Sequence, residues 1–280
     1  MTAASPLRVP ILMYHEIGLP SETNSRLAVS SGAFAAQLAH LYDTGFKTVT
    51  AGRLSAFLAG NIEELPDRTV VLTFDDGYES FHSQVMPLLD QYGFTATVFV
   101  TTGWVEGEGT RPKRKGPGRM LSWSQLTEAM HAGIEVGAHS CQHPQLDQLP
   151  EGLLHEELYS SKQRLEDKLG QQVPGLAYPF GYSNARVRQV ARDAGYGYGY
   201  AVRNTTARQT SDPFLLPRLT VRRSMTMPAF RRLIHGGVTR TLLEDRAMTK
   251  GWAVVRQTRA TLTTASQTLS ADRAPGGAAR

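Results

Sequence analysis

A single cysteine, Cys141, is all that this chain of 280 residues carries. An intrachain disulfide is therefore excluded, and with it the small secreted scaffold held by bridges. Long apolar runs are missing too: no stretch approaches the roughly 18 apolar residues that a membrane-spanning helix needs. The opening Met1-Thr2-Ala3-Ala4-Ser5-Pro6-Leu7-Arg8-Val9-Pro10 lacks the basic-then-apolar order of a secretory leader. On that footing the protein is expected in the cytoplasm. A large excess of one charge is absent as well: 30 Lys and Arg face 25 Asp and Glu, a net charge of +5. This modest surplus, partly gathered in Arg111-Pro112-Lys113-Arg114-Lys115 and in arginines after Arg218, reads as a solvated basic face. No nucleic-acid partner is expected. With 41% hydrophobic residues, the chain can bury one large core or two small ones.

Strand and helix signals alternate along most of the length. Asp43-Thr44-Gly45-Phe46, Gln91-Tyr92-Gly93-Phe94, His131-Ala132-Gly133-Ile134 and Asp193-Ala194-Gly195-Tyr196 each read as a helix end, a glycine beyond it and an apolar strand start. Before these junctions the apolar residues have helical spacing, as at Phe34, Leu38, Leu41 and Tyr42. After them the sequence is β-rich. Repeated helix-then-strand units imply a mainly parallel sheet with helices outside, either a βα barrel or a wound open sheet. In both, chemistry sits at the C-terminal ends of the strands. The polar candidates fall there: His15 after Pro10-Ile11-Leu12-Met13-Tyr14, Asp75-Asp76 after Thr69-Val70-Val71-Leu72-Thr73-Phe74, His139 after the Ile134 strand, and Tyr178-Pro179-Phe180-Gly181 after Leu176. Residues 104–119, rich in Gly, Pro and basic side chains, read as a mobile loop over that face.

Two adjacent carboxylates at a strand end are a conflict, because like charges side by side need a cation between or beside them. In Val136-Gly137-Ala138-His139-Ser140-Cys141-Gln142-His143 two histidines stand four apart, so both reach one ion if the backbone coils after Ser140. One carboxylate and two imidazoles make an open, hydrolytic or oxygenase type of metal site. Taken singly, Asp76-Gly77 is an ordinary turn and a lone His-x-x-x-His an ordinary surface pair. Cys141, between the histidines, reads as a buried spectator. Tyr14, Trp123 and Tyr182 read as aromatic candidates for lining a ligand subsite, with core packing as the competing role for the first two.

Thr73-Phe74-Asp75-Asp76-Gly77, His139-Ser140-Cys141-Gln142-His143 and Tyr178-Pro179-Phe180-Gly181 resemble the three motifs of the polysaccharide deacetylases of the NodB-homology type, carbohydrate esterase family 4. The opening Leu12-Met13-Tyr14-His15 and the stretch from Phe34 to Thr50 are similar to the subgroup acting on poly-N-acetylglucosamine. The resemblance implies a distorted (β/α)7 barrel with a short helical C-terminal extension. It also implies a metal-dependent hydrolase that removes an N-acetyl group from an N-acetylhexosamine-containing glycan or glycoconjugate. Asp76, His139 and His143 would bind one divalent ion, zinc before cobalt, nickel or manganese. Asp75 would be the general base, and the Phe180 backbone N–H part of an oxyanion hole beside Tyr182.

Two departures from the family pattern stand out. The place of the family's late histidine holds Leu216-Pro217-Arg218-Leu219-Thr220-Val221, with no histidine, and the resemblance to the subgroup implies that the acid role passes to His15. Ala177 occupies the place of the arginine that orients the catalytic aspartate, and Arg218 is the candidate substitute from another strand, grouped with Phe180 and Tyr182 around the substrate. The rivals are an O-acetyl esterase, another amide hydrolase acting on a small molecule, and a non-catalytic glycan-binding module on the same fold. The domain reading is a catalytic domain over 1–228, a basic helical extension over 229–270 and a disordered tail over 271–280. The basic stretch 231–256, with interspersed Leu, Ile, Val and Trp252, suits either peripheral contact with an anionic membrane or a helical cap on the barrel.

Overall fold

A computed structural model describes residues 7–18, 26–106, 116–237 and 243. The chain divides into two units, Met1–Thr239 and Arg240–Arg280, and every element named belongs to the first. In chain order these are β1 (Ile11–Tyr14), α1 (Ser31–Asp43), β2 (Lys47–Val49), α2 (Ala51–Leu58), β3 (Thr69–Phe74), α3 (Met86–Tyr92), β4 (Thr97–Val100), α4 (Trp123–His131), β5 (Glu135–Ala138), α5 (Glu151–Leu169), β6 (Gly175–Ala177), α6 (Ala185–Asp193), β7 (Tyr198–Val202), β8 (Leu216–Thr220) and α7 (Met227–Ile234). The helices start where short polar side chains offer an acceptor. Ser30, Thr50, Asn184 and Thr226 each take a first-turn N–H, and Ser122 with Gln125 forms a capping box. The four glycines expected beyond helix ends, Gly45, Gly93, Gly133 and Gly195, all have φ between 61° and 82°, where a Cβ would be strained.

All strand pairings among the named elements are parallel. β3 through β8 follow one another side by side, and β1 pairs with both β8 and β3, closing a ring of seven strands. This is the distorted (β/α)7 barrel. The distortion is local. β2 pairs with the first half of β3, at Thr69 to Val71, and β1 with the second half, from Val71 onward. An eighth strand thus occupies the lower part of one seam.

Alternation along each strand divides the side chains into an inner and an outer set. Ile11, Val71, Phe99, Ala177, Tyr198, Tyr200 and Leu216 join in one buried cluster inside the ring. Phe74, on the opposite face of β3, packs instead with Tyr14, Phe34 and Phe81 beneath the helices. The floor is polar but paired: Glu135 accepts the Tyr198 hydroxyl at 2.5 Å and the Gly52 N–H at 2.8 Å. Packing is close at Gly137, where a Cβ would run into the Phe99 ring. Inward positions one layer higher carry Asp75, His139 and Arg218, so the same alternation that fills the barrel delivers the polar residues to its C-terminal rim.

Residue 228, read as the end of the catalytic domain, falls inside α7. Phe230, Leu233 and Ile234 are buried, at helical spacing, and the Phe230 ring lies 6.5 Å from that of His40 on α1. An apolar face of this kind needs a partner, and α1 supplies it; Arg231 and Arg232 are the exposed remainder. The rest of the supposed extension and the tail lie outside the described residues, Leu243 excepted. The loop read over 104–119 is packed at both ends: Trp104, Val105 and Met120 are buried, and Glu106 bridges to Ser122. Residues 107–115 lie outside the described residues. Among the described residues no helix is long and apolar enough to cross a membrane.

If α7 belongs to the barrel unit, Phe230→Ala should cost about 3–5 kcal/mol, the range for emptying a buried phenylalanine site. Urea unfolding should show this as a lower midpoint with an unchanged slope. A midpoint equal to that of the parent would restore the boundary at 228.

Candidate active site

The residues at the rim are held in backbone shapes that ordinary side chains avoid. Six non-glycine residues among those described have positive φ, and four lie in the three motifs: Asp76 (74°), Ser140 (63°), His143 (56°) and Phe180 (59°). Conformations of this kind cost of order 1–3 kcal/mol each and persist only where surroundings impose them. Their effect is to split neighbours. Asp75 still continues the ladder, its N–H bonding Tyr14 O at 3.0 Å, and then the chain turns through Asp76 and Gly77. The adjacent carboxylates thereby acquire different surroundings. His139 likewise ends the β5 ladder, bonding Val100 O at 2.8 Å, before Ser140 reverses the chain. The backbone turns at Ser140, as the spacing required for both histidines to reach one ion, and the turn is left-handed.

Asp76 Oδ1 lies 3.5 Å from His139 Nε2 and 3.4 Å from His143 Nε2. That oxygen is buried and has no hydrogen-bond partner. Donor atoms about 2.1 Å from one tetrahedral ion stand about 3.4 Å from each other, so the spacing suits a divalent cation between them. His139 Nδ1 bonds Ala177 O at 2.7 Å, which directs Nε2 into the site. Burial, and the neighbouring His139, hold the His143 pKa down at about 2, and burial also lowers that of His139. Both imidazoles are then neutral, the form that ligates. Burial together with the charge of Asp75 pushes the Asp76 carboxyl up to about 8. An orphaned carboxylate that resists its own charge, facing two neutral imidazoles, is a donor set suited to a metal ion. The sequence-predicted ligands Asp76, His139 and His143 are therefore brought together.

Asp75 has the opposite environment. Arg218, fully buried on β8, donates Nη1 to Asp75 Oδ1 at 2.6 Å and Nη2 to Oδ2 at 2.7 Å. Its Nη1 also reaches Thr73 Oγ1 at 3.3 Å, and its guanidinium lies 5.6 Å from the Phe99 ring centroid. Burial alone would raise the Asp75 pKa, but Arg218, with His139 and His15, holds it at about 2. The expected stand-in for the missing arginine at Ala177 is thus in contact with Asp75. Its grouping with the substrate-binding residues is corrected: a side chain with no exposure and both terminal nitrogens on Asp75 sits behind the site.

His15 is half-buried on the same rim, and its Nδ1 is buried without a hydrogen-bond partner. Burial lowers its pKa to about 4, against the opposing charge of Asp75. Phe180 is half-exposed, with its ring 4.6 Å from that of His143 and stacked on Tyr182 at 5.7 Å. Tyr14 is not part of this surface. It is fully buried, stacked on Phe74, and donates its hydroxyl to Gln37 at 2.8 Å. Trp123 opens α4 with Arg164 over its ring. Cys141 is half-buried, accepts from Thr102 at 3.5 Å and has its thiol pKa raised by burial, so it stays protonated beside the donor set.

Two neighbours of the site were not anticipated. Trp104 lies 5.2 Å from the His143 ring, although it reads as the start of a loop. Glu157, in the middle of α5, accepts the N–H groups of Cys141 and Gln142, both at 2.9 Å. No motif marks it, since a lone glutamate on a helix reads as solvated.

The fold and rim define a class: parallel βα-barrel proteins with a two-histidine, one-carboxylate donor set and a second, arginine-clamped carboxylate beside it. The polysaccharide deacetylase family profile matches residues 62–199. A Bacillus subtilis (strain 168) protein, YxkH, classed by name with the polysaccharide deacetylases, is 30% identical over 230 residues, 82% of this chain and 77% of that one. A poly-β-1,6-N-acetyl-D-glucosamine N-deacetylase of Staphylococcus aureus (strain MSSA476) is 26% identical over 204 residues, 69% of this chain and 68% of the relative. The structure of the Streptococcus pyogenes deacetylase PplD, in complex with acetate, superposes with a TM-score of 0.72 at 28% identity, covering 82% of this chain and 99% of that one. This chain belongs to the polysaccharide deacetylase family, a family of hydrolases.

Removing one partner of a buried ion pair strands the other. Arg218→Met should therefore destabilise the protein by about 3–5 kcal/mol at neutral pH. Chemical denaturation checks this, and a loss below about 1 kcal/mol would show that Asp75 does not depend on the clamp.

Proposed function

We propose that this protein is a divalent-metal-dependent N-deacetylase that hydrolyses the acetamide of an N-acetylhexosamine unit in a glycan or glycoconjugate, releasing acetate and a free amine. The observation that carries this reading is the unequal treatment of the adjacent carboxylates. Asp75 is clamped and kept ionised by Arg218, while Asp76 is left unpaired between two imidazoles. One is prepared to take a proton and the other to hold a cation. The name of the Staphylococcus aureus relative supports the acyl group and the sugar, and the acetate in the PplD structure supports the acyl group.

Asp76, His139 and His143 would hold the ion, zinc being the best match to a carboxylate and two imidazoles. When bound, such an ion lowers the pKa of its water toward 7 and polarises the amide carbonyl. Asp75, ionised at neutral pH, accepts the proton of the attacking water at a carboxylate oxygen. The Phe180 backbone, turned by its positive φ and pressed by its ring against His143, offers its N–H to the developing oxyanion. Its exposed ring, stacked on Tyr182, forms an aromatic surface for the sugar. His15 protonates the departing amine. With a pKa of about 4 it rests neutral, so the proton it delivers is first acquired within the site. Asp75, whose charge favours a cationic His15, is the source at hand. The catalytic unit extends through α7.

Purified protein should carry about one divalent ion per chain, and chelation should abolish acetate release from a chitooligosaccharide or poly-N-acetylglucosamine oligomer. Asp75→Asn should retain the ion but lose about 10²–10⁴-fold in kcat. Full activity after complete metal removal would sink the reading. His15→Ala should lower kcat/KM for the acetamide by about 10²-fold or more while an aryl acetate, whose leaving group needs no proton, loses much less. Equal losses on both substrates would remove His15 from the acid role.

A further inference from the structure

We propose that Glu157 is a positioning residue of the metal centre: its carboxylate holds the turn between the two histidines so that His143 faces Asp76. This rests on the reading that Asp76, His139 and His143 bind an ion. The turn has a bonding problem. Ser140 and His143 both have left-handed φ, so the backbone between them cannot satisfy itself as a helix or strand would. Its carbonyls are met from one side, where Thr102 N–H reaches Ser140 O at 3.1 Å and Gly103 N–H reaches Cys141 O at 2.8 Å. Its N–H groups need acceptors from elsewhere. Ser140 Oγ takes that of His143 at 3.0 Å, within the turn. The N–H groups of Cys141 and Gln142 both go to Glu157 Oε2, at 2.9 Å each.

Glu157 therefore grips the two residues that join one ligand to the other, from an element that carries no ligand itself. α5 is a firm base for this, because Leu154, Leu158 and Ser161, which flank Glu157 along the helix, are fully buried. A carboxylate fits this role because one oxygen can accept both N–H groups and its charge strengthens each bond. Without it, two donors at a partly buried, strained turn lose their acceptor, and the turn can relax by rotating His143 away from Asp76. His139 would stay, since the β5 ladder and Ala177 O hold it independently.

The test is metal affinity, measured by competition with a chromophoric chelator for Zn²⁺, with the absorption of the Co²⁺-substituted protein as a second readout. Glu157→Ala should weaken Zn²⁺ binding by about 10–100-fold, the effect typical of losing a group that orients a ligand, and should alter the Co²⁺ spectrum. Glu157→Gln, whose amide oxygen can still accept both N–H groups, should stay within about threefold of the parent. Melting of the metal-free proteins separates positioning from folding: a purely structural role would lower the metal-free Tm and leave the affinity of the folded protein unchanged. That result, or parent-like affinity and spectrum in Glu157→Ala, overturns the proposal. Should Glu157→Ala not fold, Glu157→Asp, with its carboxylate drawn back by one methylene, carries the test. A loss of about tenfold or more supports the role, and parent-like affinity overturns it. If the parent protein itself binds no Zn²⁺ or Co²⁺, the metal centre fails and Glu157 with it.

Discussion

Two neighbouring aspartates buried at the end of a strand are the constraint around which this protein is organised. Asp75 and Asp76 are nearly inaccessible to solvent, so neither can be stabilised by water. The barrel gives them opposite solutions. Asp75 receives a guanidinium from β8, which is not its neighbour in the ring, because β1 lies between β3 and β8. Asp76 is turned away by its left-handed backbone and receives only neutral imidazoles. One carboxyl is held low, at a pKa of about 2, and the other pushed up to about 8. Titratable neighbours driven apart in this way have distinct chemical roles.

The rest of the fold can be understood as what keeps that arrangement in place. Strand alternation stacks layers inside the ring, with Glu135 and Tyr198 on the floor, Phe99 and Tyr200 above them and Arg218 against Phe99. Because Gly137 leaves no Cβ in the way, the Phe99 ring packs against it, and the Arg218 guanidinium lies over that ring. Outside the ring the loops carry the second support. The turns after β4 and β5 bond each other through Thr102, Gly103, Ser140 and Cys141, and α5 adds Glu157. Strain at four motif residues is sustained by this network, which is the usual place for a folded protein to store it.

Much of this was legible in the sequence. The junction glycines at 45, 93, 133 and 195 marked helix ends because only positive φ explains a glycine there so regularly. The run from Thr69 to Phe74 read as a strand, and the candidate polar residues fell at strand ends. Resemblance to a family then named the donors, and even the exchange of Ala177 for Arg218 could be guessed from one missing arginine. Other points were left open or misread for definite reasons. The spacing of His139 and His143 asked for a coil after Ser140 but not for its hand, and Ser140 adopts a left-handed conformation that no residue type signals reliably. Residue 228 looked like an end because strand signals stop, whereas the apolar face of α7 continues the packing. For Tyr14 the sequence left subsite and core packing open, and the structure gives core packing.

The sequence by itself determined the alternating βα order and the strand-end location of the polar residues, two histidines and two adjacent carboxylates among them, since these depend on local spacing and residue chemistry. Tertiary structure alone decided which carboxylate is clamped and which is left for a cation, that Arg218 works from behind Asp75, that Trp104 lies beside His143 and that Glu157 holds the turn between the histidines. Those contacts join residues far apart in the chain. Ring closure through β1 is what brings β8 within reach of β3, and no local pattern carries that information.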